Sequence, residues 1–376
     1  MNEKISATSV VSKPPRFAIF GLPAWAVALP LVGLLALLPG KPENFIGIVL
    51  ISVIVCGVIV AAVYHAEMLA HYLGEPFGTL VLAFAVTIIE CSLIVSIMLS
   101  DPSGTSGGAQ TLARDTLIAA IMITVNGFVG ICLLAGGGRH HEQGYTQSGV
   151  SVGLAMLSTL SILTLVLPNH TTSAIGSYYS PPQLAFVAFI SLVVYATFVV
   201  AQTIRHRDHF LYPEASDHAH KQPVARSQAA ASAILMIPAL AAVVFLAKAL
   251  SPSIEAGVRS AGAPQAIVGI VIAALVLAPE GFAAVRAARA NRVQTSLNLA
   301  IGSALATIGL TIPAVAITAL LLGLNLELGL SARSTVLLAL TLLVASLTLS
   351  TGRTTAVHGV IHLVIFATWL FTTLVP

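Results

Sequence analysis

Two glutamates, Glu90 and Glu280, each lie alone in a long apolar stretch and are the first candidates for chemistry. Glu90 is the only charged residue in 76–100, and Glu280 is the only one in 260–285. An ionisable side chain in such a stretch is costly and usually has a function. Two carboxylates in a poorly solvated site are stable when they hold a cation or protons, because two bare negative charges repel each other. The pair therefore indicates a site at which a cation and protons compete.

Oxygen atoms suited to a hard cation accompany both glutamates. Thr87 precedes Glu90 by about one helical turn and shares its face. Pro279 directly precedes Glu280, and a proline inside a helix leaves the carbonyl of Leu275 without its usual donor. Hard cations take carboxylate and carbonyl oxygens, so the sequence predicts an oxygen-lined cation site.

Polar side chains also recur in two other apolar segments, 297–323 and 116–136. Four hydroxyls in and just before the first segment, spaced by seven, four and four residues, fall on one helical face: Ser296, Ser303, Thr307 and Thr311. Asn126 is the only amide of the second segment. Hydroxyls in membrane helices can instead bond their own backbone or serve close packing, so each is weak evidence by itself. We predict the following cation- and proton-binding residues, the first two as metal ligands: Glu90, Glu280, Thr87, Asn126, Ser303 and Thr307.

The composition places these residues in a membrane protein. Of 376 residues, 57% are hydrophobic and only 8% are charged, against about 25% charged in an average soluble chain. The 17 basic and 14 acidic residues cannot cover the surface of a soluble protein of this length. Aromatic residues are only 6% and the apolar runs do not alternate, which excludes an outer-membrane barrel. We predict an all-α polytopic membrane protein, in which Cys56, Cys91 and Cys132 are buried free thiols.

Apolar runs of about 20 residues, the length that crosses the hydrocarbon core, define the predicted transmembrane helices. We predict about eleven, and the first is kept as a helix because its run is too long for a signal peptide. They cover 17–38, 44–64, 77–99, 116–136, 149–168, 183–203, 229–250, 264–285, 297–323, 332–350 and 356–375.

Lysine and arginine are distributed unevenly over the connections between these helices, and cytoplasmic connections are expected to carry the excess. With the N-terminus placed in the cytoplasm, twelve lie inside: Lys4, Lys13, Arg16, Arg139, Arg205, Arg207, Lys221, Arg226, Arg286, Arg289, Arg292 and Arg353. Five lie outside: Lys41, Arg114, Lys248, Arg259 and Arg333. This bias predicts a multi-pass membrane protein with a cytoplasmic N-terminus and a C-terminus on the opposite side, which for a protein of the cell inner membrane is the periplasm.

The longest hydrophilic stretch, 204–228, divides the chain into related halves. We predict an N-terminal segment with the first helix (1–43), a first five-helix repeat (44–203), a cytoplasmic linker rich in histidine and acidic residues (204–228), and a second five-helix repeat (229–376). Because five is odd, the repeats have opposite orientations, as in many secondary transporters, whose sites lie where the repeats meet. The linker is interpreted as a solvated connection, with a cation or pH sensor as the alternative.

The two glutamates occupy matching positions in these repeats. Glu90 is the fourteenth residue after Pro76, and Glu280 is the sixteenth after Pro264. At 1.5 Å per residue, both lie roughly 20–25 Å along their helices. Since the helices enter the membrane from opposite sides, the two carboxylates can converge.

Two histidines, His358 and His362, lie four residues apart in the last predicted helix and share a face. A metal site there would require further ligands. We interpret them as an interfacial pair near the inner surface.

An enzyme or a channel would require sequence motifs that differ from those of a carrier. The sequence has no HExxH zinc motif and no GxxxxGK[ST] nucleotide loop. An intramembrane enzyme is therefore disfavoured, and neither a cofactor nor a nucleic-acid partner is expected. A channel would require a pore-lining repeat or a charged ring. A proton-coupled carrier of another small solute stays open as the alternative, and the sequence leaves the oligomeric state open.

The sequence resembles the cation/proton exchanger branch of the calcium/cation antiporter superfamily, and most closely the bacterial ChaA-type sodium–calcium/proton antiporters. The resembling segments are HAEMLAHYLGEPFGTLVLAFAVTIIE, LAPEGFAAVRAARANRVQTSLNLAIGSALATIGLTIP and LSTGRTTAVHG. The resemblance implies one helix plus two inverted five-helix repeats. It also implies a secondary active antiporter that exports Ca²⁺ and/or Na⁺, with K⁺ as a third candidate, in exchange for H⁺ across the lipid bilayer.

The same resemblance assigns roles to individual residues. Glu90 and Glu280 match the two glutamates that bind calcium or protons in the family, and Gly302-Ser303 matches a Gly-Ser segment that lines the site. Two features depart from the exchanger pattern. Val86-Thr87 and Val276-Leu277 stand where the exchangers have Gly-Asn, and Ala306 and Thr307 stand where they have a glutamine after Gly-Ser. The missing amides leave room for monovalent cations.

Overall fold

The computed structural model of the protein describes residues 18–19, 21–38, 40, 42, 44–73, 77–100, 109–210, 224–264 and 266–375. They form a bundle of α-helices: α1 Ala24–Leu35, α2 Phe45–Leu73, α3 Phe77–Ser100, α4 Ala109–Ile121, α5 Val129–His140, α6 Gln147–Ser161, α7 Pro181–Val200, α8 Arg226–Ser260, α9 Ala266–Arg289, α10 Val293–Leu322, α11 Ala332–Thr348 and α12 Ala356–Leu374. Two short antiparallel ladders accompany them: β1 Ala18–Ile19 with β2 Leu22–Pro23, and β3 Glu142–Gly144 with β4 Arg353–Thr355.

Several helices continue through segments of different helical pitch. A π-helical segment, Met122–Phe128, joins α4 to α5. Further π- or 3₁₀-helical segments follow α6 and α7: Ile162–Val166, Leu167–His170, Ala201–Arg205 and Arg207–His209. π-Helical turns within α-helices are rare and frequently occur at functional sites, and the first of these segments contains Asn126.

Many of these helices are long and apolar enough to cross a membrane. Within the described residues, seven segments qualify by length and composition: Phe45–Leu73, Gln110–His140, Gln147–His170, Pro181–Arg205, Arg226–Ser260, Val293–Leu322 and Ala356–Leu374. The bent pair Ala266–Ala278 and Glu280–Arg289 forms an eighth. The predicted polytopic helical membrane fold is confirmed, whereas the count of eleven crossing helices stays a prediction.

The first predicted span is shorter as a helix than the apolar run suggested. The sequence predicts a helix over 17–38, but α1 is helical over only 12 residues, or roughly 18 Å. Gly21 has a φ of +75° and turns the chain between β1 and β2. Pro23 then precedes the first helical residue. Local turn chemistry thus replaces the first helical turns that hydropathy predicted.

α9 is bent where the sequence places a proline. Its two parts, Ala266–Ala278 and Glu280–Arg289, are inclined by 53°. Pro279 lies at the break, and a proline there cannot donate to the carbonyl of Leu275. The bend sets Glu280 as the first residue of the second part.

α10 is the helix around which the candidate site is built. Most of its side chains are buried, and it packs against α3, α6, α7 and α9. A helix that is buried on most of its faces must satisfy its polar side chains against partners inside the protein. Four hydroxyls of α10, those of Ser296, Ser303, Thr307 and Thr311, accordingly contact groups on the neighbouring helices α3 and α9.

Connections predicted to lie on the inner side contact one another. Gln143 on β3 donates to the carbonyl of Ala288 at 3.1 Å and to Oδ1 of Asn291 at 2.9 Å. β3 itself pairs with β4. At the start of the chain, Nε2 of Gln228 donates to the carbonyl of Gly21 at 2.9 Å. The contacts of Gln143 and the β3–β4 ladder join connections to which the predicted topology gives the same side, and the contact of Gln228 joins the linker to the beginning of the first predicted span.

Connections predicted to lie on the outer side form a second group. Arg114 pairs with Glu327, and Nδ2 of Asn169 donates to the carbonyl of Leu330 at 2.6 Å. Each of these contacts also joins two connections to which the predicted topology gives one side, and the topology itself stays a prediction.

The linker is described as far as Phe210 and again from Val224. The sensor named as the alternative would draw on His206, Asp208, His209, Glu214, Asp217, His218 and His220, of which the last four lie outside the described residues. The rings of His206 and His209 stack with centroids 5.3 Å apart. The carbonyl of Phe210 accepts a hydrogen bond of 2.6 Å from Asn298 on α10. The first linker residues therefore pack on the bundle.

The three cysteines are free thiols, as predicted. Cys132 is buried and Cys91 is partly buried, but Cys56 is exposed on α2. The prediction that all three are buried is wrong for Cys56, because an apolar run does not reveal which face of its helix is turned outward in a membrane protein.

Candidate functional site

Glu90 lies on α3 and is completely buried. Its Oε2 accepts a hydrogen bond of 2.8 Å from the hydroxyl of Thr307 on α10. Its other oxygen, Oε1, is buried and has no hydrogen-bond partner within the described part of the chain. A buried carboxylate oxygen without a donor is costly, and a proton or a cation would satisfy it.

Glu280 lies on α9, immediately after the bend, and is 6% exposed. Its Oε2 accepts a hydrogen bond from the hydroxyl of Ser303 on α10. Glu280 therefore reaches the same helix as Glu90, although the two glutamates belong to different predicted repeats.

The two donors, Ser303 and Thr307, are four residues apart on α10, which places them on consecutive turns of one face. Side chains at this spacing have Cβ atoms about 5–6 Å apart. Each donates to a different glutamate, so the carboxylates of Glu90 and Glu280 are brought together against one strip of α10. The sequence predicts that these two side chains can converge, and in the structure both of them contact α10.

Two further hydroxyls lie on the same face of α10, Ser296 before this pair and Thr311 after it. Ser296 donates to the carbonyl of Ala284 on α9 at 2.7 Å. Thr311 contacts Sγ of Cys91 on α3 at 3.3 Å. The earlier half of the stripe thus binds α9 and the later half binds α3, and the change occurs between the two donors to the glutamates.

Comparison with known proteins shows to which family the chain belongs. The family model described as sodium/calcium exchanger protein matches residues 20–204 and 231–375, which is most of the chain. The chain belongs to the sodium/calcium exchanger family. This confirms the resemblance to cation antiporters that the sequence motifs indicated.

Two relatives and one solved structure illustrate the match. A protein of Sinorhizobium fredii named "Putative ionic transporter y4hA" is 44% identical over 363 residues, which is 94% of this chain and 97% of that protein. The Escherichia coli sodium-potassium/proton antiporter ChaA is 38% identical over 316 residues, 83% of this chain and 84% of that protein. The structure titled H⁺/Ca²⁺ exchanger CAX has a TM-score of 0.72 at 15% identity and covers 92% of this chain and 86% of that chain. These proteins are named as transporters or exchangers, which agrees with the expectation that the chain is not an enzyme.

Members of an exchanger family need a site that holds a cation, and the described residues supply few strong ligands outside the carboxylate pair. They contain no group of three or more histidine, cysteine or acidic side chains placed so that it could hold a metal ion. Thr87 is buried on α3, one turn before Glu90. A cation held by Glu90 and Glu280 would therefore complete its shell with hydroxyl and backbone oxygens.

Asn126, predicted as a site residue, makes its hydrogen bonds in a different direction. It is buried, and its amide nitrogen donates to the hydroxyl of Thr341 at 2.8 Å. Its amide oxygen lies 3.0 Å from Nδ1 of His362. Both partners lie on α11 and α12, which do not carry the glutamates.

His362 corrects one interpretation of the sequence. It is completely buried and bonded through both ring nitrogens, to Asn126 and, at 2.9 Å, to the hydroxyl of Thr348. It is therefore not part of an interfacial pair, whereas His358 is partly exposed and contacts Thr354. The spacing of the histidines was visible in the sequence, but a partner 236 residues away was not.

Proposed function

We propose that the protein is a secondary active cation/proton antiporter of the cell inner membrane. It exports Ca²⁺ and/or Na⁺, with K⁺ as a third candidate, in exchange for H⁺ by alternating access at the Glu90–Glu280 pair. The observation that carries the proposal is the meeting of these carboxylates, from two helices of different halves, on consecutive turns of α10.

The pair supplies the competition that exchange requires. Two ionised carboxylates held close together repel each other, and either a cation or protons remove that repulsion. The hydroxyls of Ser303 and Thr307 orient the carboxylates in both states, because a hydroxyl can donate to a carboxylate and also offer lone pairs to a cation. One Ca²⁺ would replace two protons, whereas one Na⁺ would replace fewer.

Names of relatives support cations as the transported species. The Escherichia coli relative is named for sodium, potassium and protons, and an Aphanothece halophytica relative, 24% identical over 288 residues, is named a Ca²⁺/H⁺ antiporter. The hydroxyl-rich pair with few other charged ligands is compatible with either kind of ion. We therefore propose that the substrates are cations, with Ca²⁺, Na⁺ and K⁺ as the candidates.

Alternating access would change which side of the membrane reaches the pair. The bend at Pro279 lies beside Glu280, which places a break in helical hydrogen bonding at the site itself. With the N-terminus in the cytoplasm, the second part of α9 leads inward and its first part leads outward. Small changes at this bend would open the pair to one side at a time.

The test is exchange in vesicles that contain the purified protein and a pH-sensitive dye. After a pH gradient is imposed, calcium, sodium and potassium salts are added one at a time. Collapse of the gradient by at least one of these salts is expected. If none of the three collapses it while another small solute does, the protein is instead a proton-coupled carrier of that solute.

A further inference from the structure

Four arginines collect at one end of the bundle, where α5 and α9 end. Arg139 lies in the last turn of α5, and Arg286 and Arg289 lie in the last turn of α9. Arg292 directly precedes α10. All four residues are exposed, and we call them the arginine patch. The predicted topology places the patch on the cytoplasmic side.

The ends of α5 and α9 are held side by side. Cys132 of α5 packs with Ala284 and Ala288 of α9 in one small buried cluster. Beyond this cluster, Nε2 of His140 lies 3.0 Å from the carbonyl of Arg289. A carbonyl can only accept, so Nε2 carries the proton and donates. Because His140 directly follows Arg139, the arginines of the two helices lie on adjoining ends and form one surface.

The positive charges of the arginine patch are not balanced by the protein. Within the described residues, none of the four arginines forms an ion pair with a carboxylate. Arginines elsewhere differ, since Arg114 pairs with Asp115 and Glu327. Arg353 pairs with Glu142. Several unpaired charges of one sign on a small surface create a potential that attracts anions, so the patch is complementary to a negatively charged partner.

The exposed face of α9 changes from apolar to basic within about two turns. Phe282 exposes 77% of its surface. Arg286 and Arg289 follow it by four and seven residues and therefore share its face. An exposed phenylalanine on a membrane helix faces lipid hydrocarbon, and arginines near the helix end extend to the polar interface. The arginine patch therefore lies at the depth of the lipid headgroups.

The chemistry of arginine favours a phosphate as the anion. Its planar guanidinium group matches phosphate oxygens with two parallel hydrogen bonds. Anionic phospholipids carry a phosphate at this depth, and basic pockets between the ends of membrane helices bind such headgroups. A soluble phosphate has no acyl chains to cover the exposed ring of Phe282. The surface thus fits a lipid better than a free ion.

We propose that the arginine patch binds the headgroup of an anionic phospholipid. The lipid phosphate is held between Arg139 of α5 and Arg286 and Arg289 of α9. The acyl chains lie along Phe282. The bound lipid thereby joins the end of α5 to the part of α9 that begins with Glu280. This inference concerns lipid binding and does not depend on the proposed exchange.

The experiment measures thermal unfolding of the purified full-length protein in a non-ionic detergent with increasing phosphatidylglycerol, or with phosphatidylcholine as the uncharged comparison. We expect phosphatidylglycerol to raise the unfolding temperature of the wild-type protein more than phosphatidylcholine does. In Arg286→Gln and in Arg289→Gln, the half-saturating amount of phosphatidylglycerol should rise about fivefold, which corresponds to about 1 kcal/mol for each arginine. In the double variant it should rise about thirtyfold.

Two controls separate the arginine patch from general charge effects. Arg353→Gln removes the same charge on the same predicted side, from an arginine that already pairs with Glu142. Its response to phosphatidylglycerol should equal that of the wild-type protein. Inorganic phosphate at the same concentration should stabilise the wild-type protein much less than phosphatidylglycerol does, because it lacks the acyl chains.

Three results would overturn the lipid site: an unchanged phosphatidylglycerol response in the folded double variant, an equal loss of response in Arg353→Gln, or equal stabilisation by inorganic phosphate. If the double variant does not fold, Arg139→Gln on α5 takes its place, and an unchanged response in that variant has the same meaning. No ion gradient is present in these measurements. Absence of exchange by the wild-type protein in vesicles would therefore contradict the proposed function and not this inference.

Discussion

The two glutamates of the carboxylate pair, Glu90 and Glu280, lie in different surroundings. Glu90 is completely buried on α3, a continuous α-helix over Phe77–Ser100, and one of its oxygens has no partner within the described residues. Glu280 follows a bend of 53° and keeps 6% of its surface exposed. We infer a division of work, in which Glu90 mainly determines how tightly a cation or proton is held and Glu280 mainly determines how ions reach the pair.

Both glutamates accept a hydrogen bond from α10. Because one helix donates to both carboxylates from neighbouring turns, a shift of α10 relative to α3 or α9 would change both half-sites together. The comparison therefore predicts strong coupling between the glutamates and weaker, unequal effects of the groups around them.

The largest effects are expected at the glutamates. Glu90→Gln and Glu280→Gln should each abolish coupled exchange, because glutamine keeps the volume but cannot take up or release a proton and removes a negative charge. Insertion and folding should be unchanged or improved, since a buried ionisable group becomes neutral. The measurement is cation-driven proton flux in vesicles with equal amounts of protein.

Aspartate substitutions are the matched controls at both positions. They keep the charge but shorten the side chain by one methylene, so partial activity is expected. Wild-type flux in either glutamine variant would show that this carboxylate is not required, and a large difference between the two variants would break the predicted coupling.

The next largest effects are expected at the two hydroxyl donors. Thr307→Val and Ser303→Ala each remove a hydrogen bond to a carboxylate, a contact that contributes about 1.5–3 kcal/mol. The ionised carboxylate becomes less stable, so protons compete better and the half-saturating cation concentration should rise roughly ten- to a hundredfold. Cation titrations of exchange at fixed pH measure this.

The comparison of the halves predicts an order for these donors. Thr307→Val should have the greater effect, because Glu90 is fully buried and has no other hydrogen-bond donor within the described residues. Thr318→Val on α10 serves as a control, since its hydroxyl donates to the backbone of its own helix. A greater effect of Ser303→Ala would show that Glu280, and not Glu90, mainly determines how tightly the cation is held.

The bend of α9 should affect rate more than affinity. Pro279→Ala restores a helical donor to the carbonyl of Leu275, so the helix should straighten and unfolding should require up to about 3 kcal/mol more. We expect the maximal exchange rate to fall several-fold while the half-saturating cation concentration changes less. A straightened variant with the wild-type rate would remove the bend from the mechanism.

The smallest effect is expected in the linker between the halves. Shortening the segment 212–222 should leave exchange intact, because the linker is predicted to be a solvated connection and the bundle contacts of Phe210 are retained. Deletions that reach Phe210 should reduce folding yield, since its carbonyl holds Asn298 on α10. Loss of exchange in a correctly inserted 212–222 variant would show that this segment takes part in transport.

Much of this fold could be predicted from hydropathy, and the exceptions have local causes. Long apolar runs identify membrane helices because a helix needs about 20 apolar residues to cross a bilayer. The helix in the first run is shorter than predicted because Gly21 and Pro23 form a turn and a helix start within it. Periodicity cannot show such a turn when the surrounding residues are all apolar.

The sequence singles out candidate site residues but not which of them pair, and their role stays a prediction. Isolated charges and the hydroxyl spacing singled out Glu90, Glu280, Ser303 and Thr307. Which hydroxyl meets which glutamate depends on how α3 and α9 pack against α10. For the same reason, the sequence could not show that Asn126 bonds to His362, since that contact joins the first half of the chain to its last helix.

The central claim is that Glu90 and Glu280 hold a cation and protons in competition. Its most direct test is proton release when Ca²⁺ or Na⁺ is added to purified, weakly buffered protein, measured with a pH indicator near neutral pH. The wild-type protein should release protons in proportion to bound cation, and Glu90→Gln and Glu280→Gln should each lose most of that release. Release of as many protons per bound cation by either variant as by the wild-type protein would contradict a shared two-carboxylate site.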